Sequence, residues 1–162
     1  MAKQAVPKTN AMRILDKEKI SYTVHTYDHS DGMIDGMSVA KKVGKPPEQL
    51  YKTLVTVGAS REHYVFVLCV AHELDLKKAA AAVGEKSVAM IPVAEINAVT
   101  GYIRGGCSPI GMKKKFVTVI SEDAALLDSM IVSGGKIGVQ IELAPEDLCK
   151  AADAVYSDIV FD

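Results

Sequence analysis

Apolar residues fall into short runs along this chain, separated by glycine, proline and lysine breaks. Thr9 reads as an N-cap for a helix from Asn10 to about Glu18, with Ala11, Met12 and Leu15 on its inner face. Ser21 to Tyr27 alternates in the manner of a strand. Ser30 to Gly36 is a glycine- and aspartate-rich loop. Ser38 then reads as the cap of a short helix that ends at Gly44 before Pro46-Pro47. Tyr51 to Val57 and His63 to Ala71 predict two strands, paired antiparallel across the turn at Arg61-Glu62. Asp75 to Val83 predicts a helix closed by Gly84, and Ser87 to Ile91 a short strand. Pro92 opens a helical stretch from Val93 to Val99. Phe116 to Ile120 is a strand of buried type, and Glu122 to Asp128 is helical. Met130 to Val132 and Val139 to Leu143 flank Ser133-Gly134-Gly135-Lys136, read as their tight connection. Pro145 opens a helix through Ala152, and Val155 to Val160 adds a last strand. Irregularly mixed short strands and helices, with no repeat or linker, predict an α+β single domain over residues 1–162 with a curled sheet. The polar residues 1–8 are expected to fray.

Composition narrows the picture. The chain has 162 residues, 49% hydrophobic and 24% charged, enough for one globular core. A net charge of −1 provides no global basic field, so any polyanion must be met by a local patch. Cys69, Cys107 and Cys149 are odd in number and widely spaced, which points to a reducing compartment. No apolar run approaches the roughly 20 residues a bilayer span requires, and no secretory leader is visible, so a cytoplasmic protein with no membrane partner is expected.

Two stretches carry candidate chemistry. Gly101-Tyr102-Ile103-Arg104-Gly105-Gly106-Cys107-Ser108-Pro109-Ile110-Gly111 precedes Met112 and the run Lys113-Lys114-Lys115. It reads either as a surface turn beside a solvated charge run or as a shaped loop whose free N–H groups meet an anion. Tyr51-Lys52-Thr53-Leu54 puts one lysine at the start of an apolar strand, a site candidate or an edge-strand gatekeeper. Gly134-Gly135-Lys136 lacks the upstream glycine and following hydroxyl of a phosphate loop. His25, His29, His63, His72 and the cysteines lack metal-ligand spacing, so neither metal nor other cofactor is expected. Ser108 has no nucleophile-elbow context. Cys107 has lysines nearby, which invites a thiolate, but no adjacent histidine to act as base.

Tyr51-Lys52-Thr53-Leu54 and the glycine loop together resemble the signature of the YbaK/prolyl-tRNA synthetase editing-domain superfamily. His25-Thr26-Tyr27-Asp28-His29, Leu76-Lys77-Lys78-Ala79, Thr100-Gly101-Tyr102 and Val132-Ser133-Gly134-Gly135-Lys136 fall in the same order. Within the superfamily the chain resembles the free-standing YbaK/EbsC branch, the Cys-tRNA(Pro) deacylases. The resemblance implies a mixed six- or seven-stranded barrel flanked by helices. It implies an enzyme that frees misattached cysteine from Cys-tRNA(Pro), with the substrate's own thiol attacking the ester. Deacylation of Ala-tRNA(Pro) or another misacylated tRNA, or a non-catalytic RNA- or synthetase-binding module, stand as alternatives. It implies catalytic roles for Lys52 and Gly105, and substrate contacts from Tyr27, Thr53, Gly106, Ser108, Pro109 and Ser133. The implied partners are the aminoacyl-tRNA acceptor end and prolyl-tRNA synthetase, and Arg104 with the lysine run would meet phosphates. Cys107 stands where the family needs no thiol, which reads it as an apolar filler. The chain departs from some relatives in having Gln140 for Asp and no aromatic in Met33-Ile34-Asp35-Gly36, and both departures bear on amino-acid selectivity.

Overall fold

A computed structural model describes residues 7–162. The expectation of a frayed N-terminus falls mostly on residues 1–6, outside the described residues. Helix α1 (Asn10–Lys17) starts at Thr9, whose hydroxyl accepts from Met12 N, and it buries Ala11, Met12 and Leu15. β1 (Thr23–Thr26) follows. α2 (Gly36–Val43) is capped by Asp35 rather than Ser38. Ser38 donates both its N–H, at 3.2 Å, and its hydroxyl, at 2.6 Å, to the Asp35 carboxylate. Gly36, the first residue of the helix, lies against the end of β3, where a Cβ would come within 2.4 Å of Val70, so only glycine fits there.

β2 (Tyr51–Gly58) and β3 (His63–Cys69) form the predicted antiparallel pair, with Lys52 opposite Leu68. β3 is buried on both faces. Val65, Val67 and Cys69 join the main core with α1, while Phe66 and Leu68 pack under α3 (Leu76–Val83). A strand covered on both sides reads as an unbroken apolar run, which is what residues 65–69 present. β4 (Val88–Met90) pairs with β2, and a 3₁₀ turn leads into α4 (Ile96–Thr100). β5 (Val117–Ser121) runs parallel to β3. β6 (Met130–Lys136) and β7 (Val139–Leu143) form the second hairpin, α5 (Pro145–Ala152) follows, and β8 (Ala154–Ser157) runs parallel to β5.

The strands form a five-stranded sheet in the order β4-β2-β3-β5-β8 and a three-stranded sheet in the order β1-β7-β6. A parallel bridge between Leu50 and Ile131 joins them. The α+β class and the mixed, curled arrangement are as the sequence implies. Among the described residues the strands number eight, in two sheets, against the six or seven that the resemblance suggests. The edge strands of the larger sheet, β4 and β8, are short, of three and four residues, and both fall where the sequence places a strand. No helix among the described residues is long and apolar enough to cross a membrane.

The bridge between the sheets is secured by Glu142, whose side chain is 16% exposed. It accepts from Ser129 Oγ at 2.6 Å, Gln49 Nε2 at 2.9 Å and His25 Nε2 at 2.7 Å, with Lys45 Nζ at 3.7 Å. Burial pushes its carboxyl up, but the hydrogen bonds from Ser129 and His25 and the charge of Lys45 outweigh that and leave it below the usual glutamate range. A depressed folded value stabilises the fold above the ordinary carboxyl pKa and is lost as pH falls through the folded one. Glu142→Ala is expected to cost about 1.5–3 kcal/mol at neutral pH, the scale for hydrogen bonds to a charged group. Denaturant titrations at pH 7 and in acid check this, because the difference from wild type narrows once the native carboxyl is protonated.

Candidate active site

The start of β2 is fixed from below. Pro47 to Gln49 forms a 3₁₀ turn, and Tyr51 turns into the core to donate its hydroxyl to Asp123 at 2.7 Å. Burial, then that bond, raises the Tyr51 phenol far above its ordinary pKa, so it remains a donor. Lys52, next along the strand, is half-buried and lines the cavity described below. Among the described residues no carboxylate lies within 4.0 Å of its ammonium. The Thr53 hydroxyl is buried and finds no hydrogen-bond partner, and the same is true of the Tyr27 hydroxyl just beyond β1. A buried polar atom left unpaired is costly, and two of the three such hydroxyls among the described residues belong to side chains that line this cavity, the third being that of Tyr156.

The rim above Tyr27 is held by Lys42. Its ammonium donates to Asp28 O at 2.7 Å, to Asp31 Oδ1 at 2.7 Å and to Met33 O at 3.0 Å, and lies 5.9 Å from the Tyr27 ring centroid. This staples residues 28–33 over the cavity and places Ile34 on its wall.

The glycine loop closes the opposite side. Gly105 has φ +84°, a left-handed conformation open to glycine, and a Cβ there would sit 2.7 Å from Ile34 Cδ1. At Gly106 a Cβ would meet backbone, 2.9 Å from Ile137 N and 3.0 Å from Lys136 C. The loop is therefore wedged between the Met33–Gly36 segment and the β6–β7 hairpin. From within, Tyr102 donates its hydroxyl to Ile110 O at 2.6 Å and Ser108 Oγ accepts from Ile110 N at 3.2 Å.

The hairpin differs from the sequence expectation in a way that matters here. Ser133-Gly134-Gly135-Lys136 is not the connection but the end of β6, and the turn lies at Ile137-Gly138. Ser133 pairs with Gln140 and Lys136 with Val139, leaving Gly134 and Gly135 as a bulge. Bulges bend a strand and re-aim its side chains, and this one follows Ser133 and Gln140 where they meet the cavity.

The cavity so enclosed is about 200 Å³. It brings together five of the residues singled out from the sequence: Tyr27, Lys52, Thr53, Gly105 and Ser133. Gly106, Ser108 and Pro109 do not line it. Gly106 packs on the hairpin backbone, Ser108 is fully buried, and Pro109 faces a separate groove shared with Lys114, Lys115 and Phe116. The reason is geometric: the wedged loop reaches the cavity through Arg104, Gly105 and Cys107, while Gly106 faces the hairpin, Ser108 turns into the core and Pro109 turns to the other groove. Lys114 and Lys115 of the lysine run line that other groove, with Lys115 paired to Asp153 at 3.6 Å, while Lys113 donates to Ala98 O at 3.3 Å.

Gln140 and the Met33–Gly36 segment, marked from the sequence only as departures bearing on selectivity, supply wall residues in Gln140, Ile34 and Gly36, and Arg104, given only a phosphate role, joins them. Alternation along β7 separates Gln140 and Glu142 from Val139, Ile141 and Leu143, but does not say that the polar face closes a cavity. Cys107 lines the wall too, yet it is 9% exposed and burial pushes its thiol up to about 11. It is therefore a neutral thiol at physiological pH, packed with Val55, Ile91 and Tyr102. No wall residue is a carboxylate; the charges are the cations of Lys52 and Arg104. Among the described residues no three His, Cys, Asp or Glu side chains converge as metal ligands.

Comparison with known proteins places this geometry. Residues 36–151 match the family model of the aminoacyl-tRNA editing domain. EbsC of Enterococcus faecalis, provisionally named a Cys-tRNA(Pro)/Cys-tRNA(Cys) deacylase, is 44% identical over 157 residues, covering 97% of this chain and 96% of its own. A solved structure described as a provisional trans-editing enzyme for prolyl tRNA synthetase superposes with TM-score 0.81 at 23% identity, covering 98% of this chain and 100% of the other. A hypothetical protein superposes with TM-score 0.86 at 18% identity, over 94% of this chain and 100% of the other. At such identities the two structures speak for the fold alone.

Proposed function

The chain belongs to the aminoacyl-tRNA editing domain family, and from that premise we propose that it releases misattached cysteine from the acceptor end of Cys-tRNA(Pro). The observation that carries this reading is a small cavity with an uncommitted lysine, two orphaned hydroxyls and no activated nucleophile of its own. Its volume of about 200 Å³ falls below the roughly 300–1,000 Å³ of sites for drug-sized ligands, and suits one small aminoacyl group. Cysteine and proline differ too little in size for one synthetic pocket to reject the wrong one well, which is the situation that calls for a separate editing step.

In this mechanism the substrate's thiol sulfur attacks its own ester carbonyl. A carbon–sulfur bond forms, the bond to the ribose oxygen breaks, the proton passes from the thiol to that oxygen, and a cyclic thiolactone leaves. Intramolecular attack reaches effective molarities of about 10⁵–10⁸ M when the geometry is right. The protein's task is then to fold the aminoacyl end and stabilise the oxyanion. Lys52 supplies the charge and the Gly105 backbone approaches the ester closely. Tyr27, Thr53 and Ser133 offer hydroxyls to the bound end. Gly106, Ser108 and Pro109 act at one remove by holding Gly105 in place. Arg104, exposed at the mouth, faces the terminal phosphate. With a net charge of −1 the protein holds the tRNA body weakly, so prolyl-tRNA synthetase presents it, and the site of action is the cytoplasm.

The test is deacylation of a panel of charged tRNAs by sub-stoichiometric protein. Multiple turnovers on Cys-tRNA(Pro) are expected. Turnover of Ala-tRNA(Pro) instead would assign a water-dependent reaction, and binding without turnover would make the chain a non-catalytic module.

A further inference from the structure

The cavity wall has an electrostatic character that bears on which acyl groups it accepts. An aminoacyl end carries an α-amine, which is a cation when protonated. The wall offers that cation no carboxylate and sets it against Lys52 and Arg104. The carboxylates next to the wall are engaged elsewhere: Asp35 accepts from Ser38, and Asp28 from Ser30. His25 stands opposite Gln140 in the strand register, and its ring is engaged by Glu142. Glu142 is itself taken up by Ser129, Gln49 and Lys45 in addition to His25. On the α2 side, Lys42 is paired with Asp31 at 2.7 Å, and His29 packs edge-on to Tyr27. Cys107 and Tyr51 are held in their neutral forms by burial. Among the wall's neutral polar side chains, with the hydroxyls of Tyr27, Thr53 and Ser133, the one amide is that of Gln140, which is 7% exposed. Nearby positive charge disfavours a bound ammonium and shifts it toward its neutral form. An amide oxygen, unlike a carboxylate, gives no Coulombic return for holding the proton.

We propose that this cavity selects acyl-tRNA ends whose α-substituent is uncharged, with Gln140 as the residue that receives it. Gln140 accepts a hydrogen bond from a neutral α-amine, or turns its amide to donate to an α-hydroxyl. Ends bearing an α-hydroxyl or no α-substituent are therefore taken alongside aminoacyl ends. The inference rests on the aminoacyl-end reading above and adds to it the protonation state and the wider substrate class.

The probes are amide-linked analogues of the acceptor end, built on 3′-amino-3′-deoxyadenosine and not cleaved by water on the time scale of calorimetry. Cysteinyl and 3-mercaptopropionyl analogues differ only in the amine, and alanyl and propionyl analogues repeat the comparison without a thiol. Binding to the wild-type protein is measured from pH 6 to pH 9. An α-amine titrates near 7.7–8.0. If only the neutral form binds, the apparent Kd of the cysteinyl and alanyl analogues falls about tenfold per pH unit below that value, because the competent fraction rises in proportion. The analogues without an amine show a flat profile, which also controls for titration of the protein. Gln140→Glu is expected to invert the pattern, binding the cysteinyl analogue more tightly than wild type at pH 6 and the 3-mercaptopropionyl analogue more weakly. A wild-type Kd for the cysteinyl analogue that is flat with pH, or tighter at pH 6, overturns the inference while leaving the aminoacyl-end reading intact. A pH slope that Gln140→Glu leaves unchanged removes Gln140 from the contact. If none of the four analogues binds at any pH, the cavity does not hold the aminoacyl end and both readings fall.

Discussion

Lys52→Ala should lower the single-turnover rate of Cys-tRNA(Pro) deacylation by about 10²–10³ while leaving the melting temperature near that of wild type. The rate effect follows from removing one preorganised charge aimed at a developing oxyanion in a cavity walled mainly by apolar side chains. The absence of a stability effect follows from the fold. Lys52 has no ion-pair partner among the described residues, so no charge is orphaned when it goes. Its strand is anchored from the neighbouring position, where the Tyr51 hydroxyl bonds Asp123, and across the sheet by pairing with β3. Lys52→Arg is informative as well, because a planar guanidinium does not present its charge as a point and restores activity only in part. Rate and melting curve are measured on the same preparations. A folded Lys52→Ala protein with near-normal rate would remove this residue from the chemistry.

The second large effect is in the substrate rather than the protein. Ser-tRNA(Pro) should be deacylated slower than Cys-tRNA(Pro) by about 10²–10⁴, the range that general-base help gives a weak nucleophile. Serine fits wherever cysteine fits, but its hydroxyl needs a base to attack. No histidine or carboxylate lines the cavity to serve as one. The substrate thiol has a pKa near 8.5 and is a good nucleophile with little assistance. In the same experiment Cys107→Ala should stay active. Its thiol is buried, raised to about 11, and packed as a small apolar group against Val55, Ile91 and Tyr102. Losing it leaves a small void and costs on the order of 1 kcal/mol of stability. An inactive but folded Cys107→Ala protein, or an aminoacyl group trapped on Cys107, would replace substrate-assisted attack with a conventional thiol mechanism.

Local signals were legible wherever one short segment decides its own structure. Gly84 ends α3 at φ +72°, as its residue type predicts, and Asp75, read as the first helical residue, stands one place earlier as the cap through its carboxylate. Thr9, Pro145 and Gly44 mark their helix ends in the same way. The misplaced cap at Ser38 shows where this stops. Asp35 and Ser38 are both good cap residues by type, and in the fold Asp35 takes the cap while Ser38 becomes the donor to its carboxylate, with Gly36 packed where a Cβ would meet Val70 of another segment. Ser133-Gly134-Gly135-Lys136 has turn composition, yet partners on β7 draw it into β6 as a bulge. Residue type tells what a segment can do alone; pairing across the sheet selects among those options.

The sequence by itself determined the α+β class, nearly every element, the absence of metal-ligand spacing, and the two stretches around Lys52 and Gly105. Those follow from periodicity, capping chemistry and glycine's backbone freedom, all properties of neighbours in the chain. Only the tertiary structure decided that Gly105 reaches the cavity while Ser108 and Pro109 turn away from it. It also decided that Cys107 is a buried neutral thiol and that Gln140, from a distant hairpin, completes a wall without a carboxylate. Burial and electrostatic environment are sums over atoms from the whole chain, so a pKa, an orphaned hydroxyl or an uncommitted charge comes into being only when the two sheets close around it.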